Sequence, residues 1–129
     1  MTWPAKLETQ NGLVLEFSKP PEYRGMKGTM TPEDAFVIAV ITCLACTFDS
    51  YANKMRLKIL RYESEGTGTV DVVAGVQKFT SVEVRVKVII PAETSEESVQ
   101  KAMDKAKGNC LVAASLNTPV TYGVQIVKG

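Results

Sequence analysis

The segment A-F-V-I-A-V-I-T-C-L-A-C, residues Ala35–Cys46, is the most informative part of the chain and carries two of its three cysteines. It follows the tetrapeptide Thr31–Asp34, in which threonine can cap a helix, proline suits the first helical position and the two carboxylates favour the positive end of the helix dipole. This pattern predicts a helix that runs to about Lys54 or Met55. Because its first half is apolar all round, either a strongly curved sheet or a second chain must cover it.

Size and composition predict a single domain over residues 1–129. The chain is 45% hydrophobic and 22% charged, with a formal net charge of +1, which is ordinary for a globular protein. Because no block of basic residues stands out, neither nucleic acid nor a membrane surface is an expected partner. The apolar run Ala35–Cys46 is shorter than the about 20 residues that span a bilayer. With no apolar signal-peptide core at the N-terminus, we expect a cytoplasmic protein with reduced cysteines, unless redox chemistry is their function.

The chain contains no histidine, and this excludes several kinds of site. There can be no Ser-His-Asp or Cys-His nucleophile pair and no histidine metal ligand. Three cysteines cannot form a four-thiolate zinc site, and the sequence has neither G-x-x-x-x-G-K-S/T nor G-x-G-x-x-G. We therefore expect neither a metal nor a cofactor.

Strands are predicted on both sides of the apolar helix. Alternating residues and an Asn-Gly turn predict a hairpin over residues 6–17. The clearest strand is Phe79–Ile90, with valines on one face and charged residues on the other. Other expected elements are a strand at Arg56–Tyr62, a turn at Glu65–Gly68, a short strand at Thr69–Val73, a capping box at Thr94–Glu97, a helix interrupted at Gly108-Asn109, and a last strand at Val120–Ile126. This order predicts an α+β fold with antiparallel sheet.

The three cysteines admit inert and reactive interpretations. Cys43 and Cys46 form a C-x-x-C, but a thioredoxin-type pair sits at a helix N-terminus, whereas this pair lies inside the predicted helix. A disulfide between positions i and i+3 of an intact helix also has poor geometry. Cys46 is therefore most simply a small buried hydrophobe. Cys110 is either a core residue or a resolving thiol that meets Cys43 across the fold.

Cys43 is either an unreactive residue that packs in the core or a nucleophile. An apolar site raises the pKa of a thiol, so reactivity requires a nearby cation or hydrogen-bond donor. The candidate cations are Arg24 and Lys27 in the loop before the helix, and Glu33 could orient a guanidinium through a bidentate contact. Each of these charges could equally be a solvated loop residue.

Two motifs resemble those of the osmotically inducible protein C and organic hydroperoxide resistance proteins, the OsmC/Ohr-like family. The segment T-P-E-D-A-F-V-I-A-V-I-T-C, Thr31–Cys43, resembles the family's N/T-P-E-x-L-x-x-A-x-x-x-C helix. The segment A-K-G-N-C-L-V-A-A-S-L, Ala106–Leu116, resembles its A-x-x-x-C-P-V-S-x-x-L, with Leu111 where the family usually has proline. The resemblance extends from about Leu13 to Val127.

The resemblance implies an intertwined homodimer, with antiparallel sheets around a long central helix. It also implies a stress-response antioxidant enzyme, a cysteine-based peroxidase that reduces organic hydroperoxides and is regenerated by a small or protein dithiol. Cys43 would be the peroxidatic cysteine and Cys110 the resolving one. Glu33 matches the family's glutamate, and Arg24, a neighbour of the family's arginine position, is assigned the arginine role.

Two other functions remain open on the residues alone. One is a dithiol electron carrier or disulfide regulator that uses Cys43 and Cys46. The other is a non-enzymatic module that binds an apolar ligand. In the peroxidase, apolar side chains at Met30, Phe36 and Val40 are expected to favour organic hydroperoxides over hydrogen peroxide, since each buried methylene contributes about 0.8 kcal/mol.

Overall fold

The computed structural model describes residues Met1–Gly129, and the chain divides into two compact units, Met1–Phe36 and Val37–Gly129. Sheets alternate with a few helices, which confirms the α+β class. That the chain acts as one domain stays a prediction. In order, the elements are β1 (Ala5–Glu8), β2 (Val14–Phe17), a 3-10 turn (Pro21–Tyr23), α1 (Pro32–Lys54), β3 (Arg61–Val73), β4 (Val76–Ile90), α2 (Glu96–Gly108), α3 (Leu111–Ala114) and β5 (Val120–Lys128).

The unit Met1–Phe36 contains the predicted hairpin. Strands β1 and β2 are antiparallel, with Ala5 opposite Phe17. Gly12 has φ +89°, and its N–H donates to the Thr9 carbonyl oxygen at 2.9 Å. The chain therefore reverses through a longer loop than the two-residue Asn-Gly turn that the sequence suggested. In the loop that follows, the buried Ser18 hydroxyl accepts a hydrogen bond from the Met26 N–H at 2.7 Å.

Helix α1 begins and ends as predicted. The Asp34 N–H donates to Thr31 Oγ1 at 3.1 Å, and the Thr31 N–H donates to Asp34 Oδ2 at 3.1 Å. This reciprocal pair satisfies two donors at the start of the helix. The last residue of α1 is Lys54.

Only one line of side chains on α1 is buried, namely Val40, Leu44, Phe48 and Ala52. An 18-residue window of this helix has a mean hydropathy of 1.8 and is 22% buried. By length and composition α1 could therefore cross a membrane, although core helices of soluble proteins pass the same test. The prediction that no membrane is a partner was based on the short apolar run Ala35–Cys46. Because the whole helix is longer than that run, the absence of a membrane partner stays a prediction.

The unit Val37–Gly129 contains a three-stranded sheet in the order β3-β4-β5. The strand predicted at Phe79–Ile90 is confirmed as β4, which begins earlier, at Val76, and is the middle strand of the sheet. Strands β3 and β4 pair antiparallel through a turn in which Ala74 and Gly75 have φ +51° and +80°, as a type I′ hairpin turn requires. The face of β4 toward the core is buried and consists of Val82, Val84, Val86, Val88 and Ile90.

The predicted turn at Glu65–Gly68 is wrong, because these residues lie inside β3. A Cβ atom at Gly66 would lie 2.8 Å from Ile41 Cγ2 and 2.9 Å from Val37 Cγ1. Glycine in this strand thus permits the side chains of α1 to approach the sheet closely. The strand predicted at Arg56–Tyr62 begins only at Arg61.

The other corrections concern the segment after β4. Strand β5 runs parallel to β4, although antiparallel sheet was expected, and such pairing requires a long crossover, which α2 and α3 supply. The N-cap of α2 is Ser95, whose side chain accepts from the Ser98 N–H at 3.2 Å. Thr94, the expected cap, donates instead to the Lys58 carbonyl oxygen at 3.1 Å. The predicted break at Gly108-Asn109 is confirmed and places Cys110 between α2 and α3.

Candidate active site

Two of the three cysteines meet inside the unit Val37–Gly129. Cys43 lies in α1 and is half-buried, whereas Cys110 is the N-cap residue of α3 and is only 1% exposed. Their side chains are joined by a hydrogen bond. The fold thus brings together the two thiols to which the resemblance assigned the peroxidatic and resolving roles.

The Cys43 sulfur is surrounded by hydrogen-bond donors. Burial is the largest influence and by itself would raise the pKa of Cys43. Hydrogen bonds from the Val112 N–H, the Cys110 thiol, the Thr47 hydroxyl and the Leu111 N–H together outweigh that effect, so that the pKa lies below the ordinary value of a thiol. Within this unit, hydrogen bonds lower the pKa of Cys43, and no cation contributes to the shift.

Cys110 is shifted in the opposite direction. Burial, first, and its interaction with the Cys43 sulfur raise the pKa of Cys110. Cys43 therefore ionises before Cys110, and Cys110 keeps its proton when Cys43 loses its own. Cys110 is then the donor of the hydrogen bond and Cys43 the acceptor.

The other donors come from the first turn of α3 and from α1 itself. In α3 the first backbone hydrogen bond runs from the Ala114 N–H to the Cys110 carbonyl oxygen at 2.9 Å. The N–H groups of Leu111 and Val112 are therefore unused by the helix and can reach the Cys43 sulfur. The single hydroxyl proton of Thr47 is shared between the Cys43 sulfur and the Cys43 carbonyl oxygen, which lies 2.8 Å from Thr47 Oγ1.

Two tyrosines from the sheet lie near the cysteine pair. Burial raises the pKa of Tyr62 to about 12, with a further contribution from Cys110 and Cys46, which are ionised at the high pH where a tyrosine titrates. Burial, and then Cys110 and Cys43 in the same ionised form, raise the pKa of Tyr122. The Tyr62 hydroxyl is buried and has no hydrogen-bond partner, and its ring centroid lies 5.5 Å from that of Phe48.

The expected cation and carboxylate lie in the other unit, Met1–Phe36. Arg24 is exposed and follows the 3-10 turn with φ +67°, and Lys27 is exposed as well. Glu33 is exposed in the first turn of α1 and lines a cavity of about 520 Å³ with Met26 and Met30. No ion pair joins Arg24 to Glu33, and the roles assigned to both stay predictions.

Two further expectations about this region are corrected. Cys46 is exposed, not a buried hydrophobe, because the face of α1 that carries it is not covered within the chain. Val40 is completely buried, so its side chain does not line an open pocket. No group of three or more His, Cys, Asp or Glu side chains is arranged to hold a metal ion.

Sequence reasoning missed most of the donors to Cys43. Leu111 was noted only because it replaces a proline, although that replacement is what provides an N–H at this position. Thr47 could have been found from its position four residues after Cys43, which places both on one face of the helix. The Val112 N–H gave no signal, since every residue except proline has one.

Comparison with known proteins gives the class. The family model described as "OsmC-like protein" matches residues 25–125. An OsmC-like protein of unknown function from Vibrio cholerae has a TM-score of 0.83 and 25% identity, over 92% of this chain and 82% of that chain. No protein with a curated description matches the sequence significantly.

More distant structures share the fold. The organic hydroperoxide resistance protein OsmC of Legionella pneumophila, also described as a predicted redox protein, has a TM-score of 0.73 and 17% identity, over 95% of this chain and 88% of that chain. An organic hydroperoxide resistance protein of Elizabethkingia anophelis has a TM-score of 0.75 and 16% identity, over 98% of this chain and 89% of that chain. The fold and the family match define the class: this chain belongs to the OsmC-like protein family.

Proposed function

We propose that the protein is a thiol-dependent peroxidase that reduces organic hydroperoxides to alcohols. The observation that carries this proposal is the hydrogen bond from the Cys110 thiol to a Cys43 sulfur of lowered pKa. A thiolate is the nucleophile that peroxide chemistry requires, and a second thiol beside it can close a disulfide. Structural relatives named organic hydroperoxide resistance proteins support the same reaction class.

The reaction would proceed in two covalent steps. The Cys43 thiolate attacks the distal oxygen of the hydroperoxide, the O–O bond breaks, and the departing alkoxide takes a proton and leaves as an alcohol. Cys43 is then a sulfenic acid. Cys110 attacks the Cys43 sulfur, the S–S bond forms, and the hydroxyl leaves with the Cys110 proton as water. A dithiol reduces the disulfide and restores both thiols.

The preference for organic substrates is part of the proposal. Cys43 lies within the apolar stretch of α1, where apolar side chains also remain accessible, as Ile38 does at 44% exposed. Each methylene that a bound hydroperoxide removes from water contributes about 0.8 kcal/mol, which hydrogen peroxide cannot gain. Arg24 and Glu33 are proposed to orient the peroxide or the thiolate.

A homodimer is the proposed assembly, and the cytoplasm the proposed location. The most apolar window of α1 is 22% buried within one chain, and Ile38 on this helix is 44% exposed. A second copy would remove this apolar surface from water. Light scattering should then give twice the chain mass of 14.0 kDa, whereas a monomer at micromolar concentration would exclude this assembly.

The peroxidase proposal is tested by replacing one sulfur at a time. Cys43→Ser should abolish consumption of cumene hydroperoxide in the presence of a dithiol, because serine cannot form a sulfenic acid. Cys46→Ser is the matched control on the same helix and should keep the activity. Undiminished turnover by Cys43→Ser would exclude the assigned nucleophile.

The two alternatives have less support. Cys43 forms its side-chain hydrogen bond with Cys110 and not with Cys46. A dithiol carrier that uses the C-x-x-C would depend on Cys43 and Cys46, which share no such hydrogen bond. A passive binding module has no need for a thiol of lowered pKa. Neither is proposed further.

A further inference from the structure

A cavity of about 260 Å³ opens beside Cys110. It lies between the end of α2, the short helix α3 and the start of β5. Cys43 is not among the residues that line it, so the cavity reaches only one member of the cysteine pair. The lining residues are Lys107, Gly108, Cys110, Ala113, Ala114, Thr118, Val120 and Tyr122.

The only charged side chain in this lining is a cation. Lys107 is 28% exposed, and its Nζ lies 5.6 Å from the centroid of the Tyr122 ring. Its ion pair with Asp104 is long, at 3.8 Å. A lysine held over an aromatic ring at the wall of a small cavity gives that cavity a positive potential, which favours an anion.

We propose that this cavity is the site of the reductant, where one thiol of a small anionic dithiol attacks the Cys110 sulfur of the oxidised Cys43–Cys110 pair. The proposal rests on the peroxidase function, because it needs that disulfide. It adds which sulfur is attacked, where the reductant sits, and the chemical class of the reductant.

The chemistry of thiol–disulfide exchange also favours attack on the Cys110 sulfur. The incoming thiolate forms an S–S bond to Cys110, the Cys43–Cys110 bond breaks, and Cys43 leaves as a thiolate. A thiol of lower pKa is the faster leaving group, and the donors around Cys43 lower its pKa whereas the pKa of Cys110 is raised. A second thiolate then attacks the reductant's sulfur and releases Cys110, which takes a proton from water.

The dimensions of the site indicate a small reductant. Cavities for drug-sized ligands have volumes of about 300–1,000 Å³, and this one is smaller. Cys110 is 1% exposed, so only a slender thiol presented end-on can reach its sulfur. Glycine and alanine at positions 108, 113 and 114 leave the room for that approach.

The first test identifies the sulfur that is attacked. In a Cys46→Ser background, diamide forms the Cys43–Cys110 disulfide without any hydroperoxide, and 2-mercaptoethanesulfonate is then added. After a rapid acid quench and alkylation, peptide mass spectrometry should show mercaptoethanesulfonate on Cys110 and the alkyl group on Cys43. The reverse pattern, or failure of diamide to form the disulfide, overturns the proposal.

The second test concerns the charge at the cavity. Lys107→Gln should slow reduction by mercaptoethanesulfonate about fivefold, the size of one close charge contact in water, and reduction by cysteamine less. Lys101→Gln is the matched control, since Lys101 lies on α2 and pairs with Glu97 but does not line the cavity. Equal rates in the two variants would overturn the proposal.

These tests separate the reductant site from the peroxidase function. If diamide forms the disulfide but hydroperoxides do not, the peroxidase proposal fails. The cysteine that carries mercaptoethanesulfonate still shows which sulfur a thiol attacks. If hydroperoxides form the disulfide but the reductant is trapped on Cys43, the peroxidase proposal stands and the reductant site is refuted.

Discussion

The Cys110 thiol donates a hydrogen bond to the Cys43 sulfur, and the two pKa values move in opposite directions. One member of the pair is thereby prepared as the nucleophile and the other keeps the proton. The arrangement assigns distinct roles to two chemically identical side chains by their surroundings alone.

Removal of the donor thiol should make Cys43 less acidic. Cys110→Ala deletes one hydrogen bond while the burial that raises the pKa of Cys43 remains, so the pKa rises toward or above the ordinary value of about 8.5. The midpoint of the iodoacetamide reaction rate against pH, followed for Cys43 by mass spectrometry, should move to higher pH. Cys46→Ala should leave it in place. An unchanged midpoint in Cys110→Ala would mean that the pair is not coupled.

The N–H of Leu111 should also contribute to the acidity of Cys43. Leu111→Pro removes this donor, and the site tolerates proline because it is the first residue of α3 and Cys110 before it has φ −71° and ψ 110°. The pKa of Cys43 should rise in Leu111→Pro and stay constant in Leu111→Ala, which keeps the N–H. Since the Leu111 side chain is 73% exposed, the alanine variant loses little packing. Identical pH profiles would exclude the Leu111 donor.

The buried Tyr62 hydroxyl should reduce stability in the wild-type protein. It has no hydrogen-bond partner, and an unsatisfied buried polar group costs about 1–3 kcal/mol. Tyr62→Phe keeps the ring against Phe48 and should raise the free energy of unfolding by about 1 kcal/mol, as measured by urea titration. Tyr122→Phe should give no such gain. A clear loss of stability in Tyr62→Phe would mean that the hydroxyl is satisfied.

The close approach of α1 to β3 predicts that alanine substitutions at two glycines of the same sheet change the stability of the protein by different amounts. Gly66→Ala places a methyl group 2.8 Å from Ile41 Cγ2 and should destabilise the protein by about 1–3 kcal/mol. Gly123→Ala should be nearly neutral, because nothing lies within 4 Å of a Cβ atom there. Urea midpoints compare the two variants, and equal midpoints would contradict the packing of α1 on β3.

Local signals in the sequence predict several elements correctly. The capping residues before α1 and the alternation in β4 are properties of short segments, and both elements are found where expected. The misplaced turn at Gly66 and Gly68 has a tertiary cause. Gly66 makes room for side chains of α1, and Gly68 makes room for the Phe79 ring of β4 and for Val37 of α1. The direction of β5 could not be predicted, since parallel and antiparallel strands share the same alternation.

The candidate site was predictable only in part. The pairing of Cys43 with Cys110 came from the resemblance, since two residues far apart in the chain carry no local sign of contact. A cation was expected beside Cys43 because charged side chains are visible in a sequence. Two of the four donors to Cys43 are backbone N–H groups. Their placement depends on how α3 meets α1, and residue types do not reveal it.

The most direct test of the account counts thiols before and after one equivalent of cumene hydroperoxide, with peptide mapping. The account predicts a loss of two of the three thiols, a disulfide between Cys43 and Cys110, and a free Cys46. Retention of all three thiols, or a disulfide between Cys43 and Cys46, would contradict it.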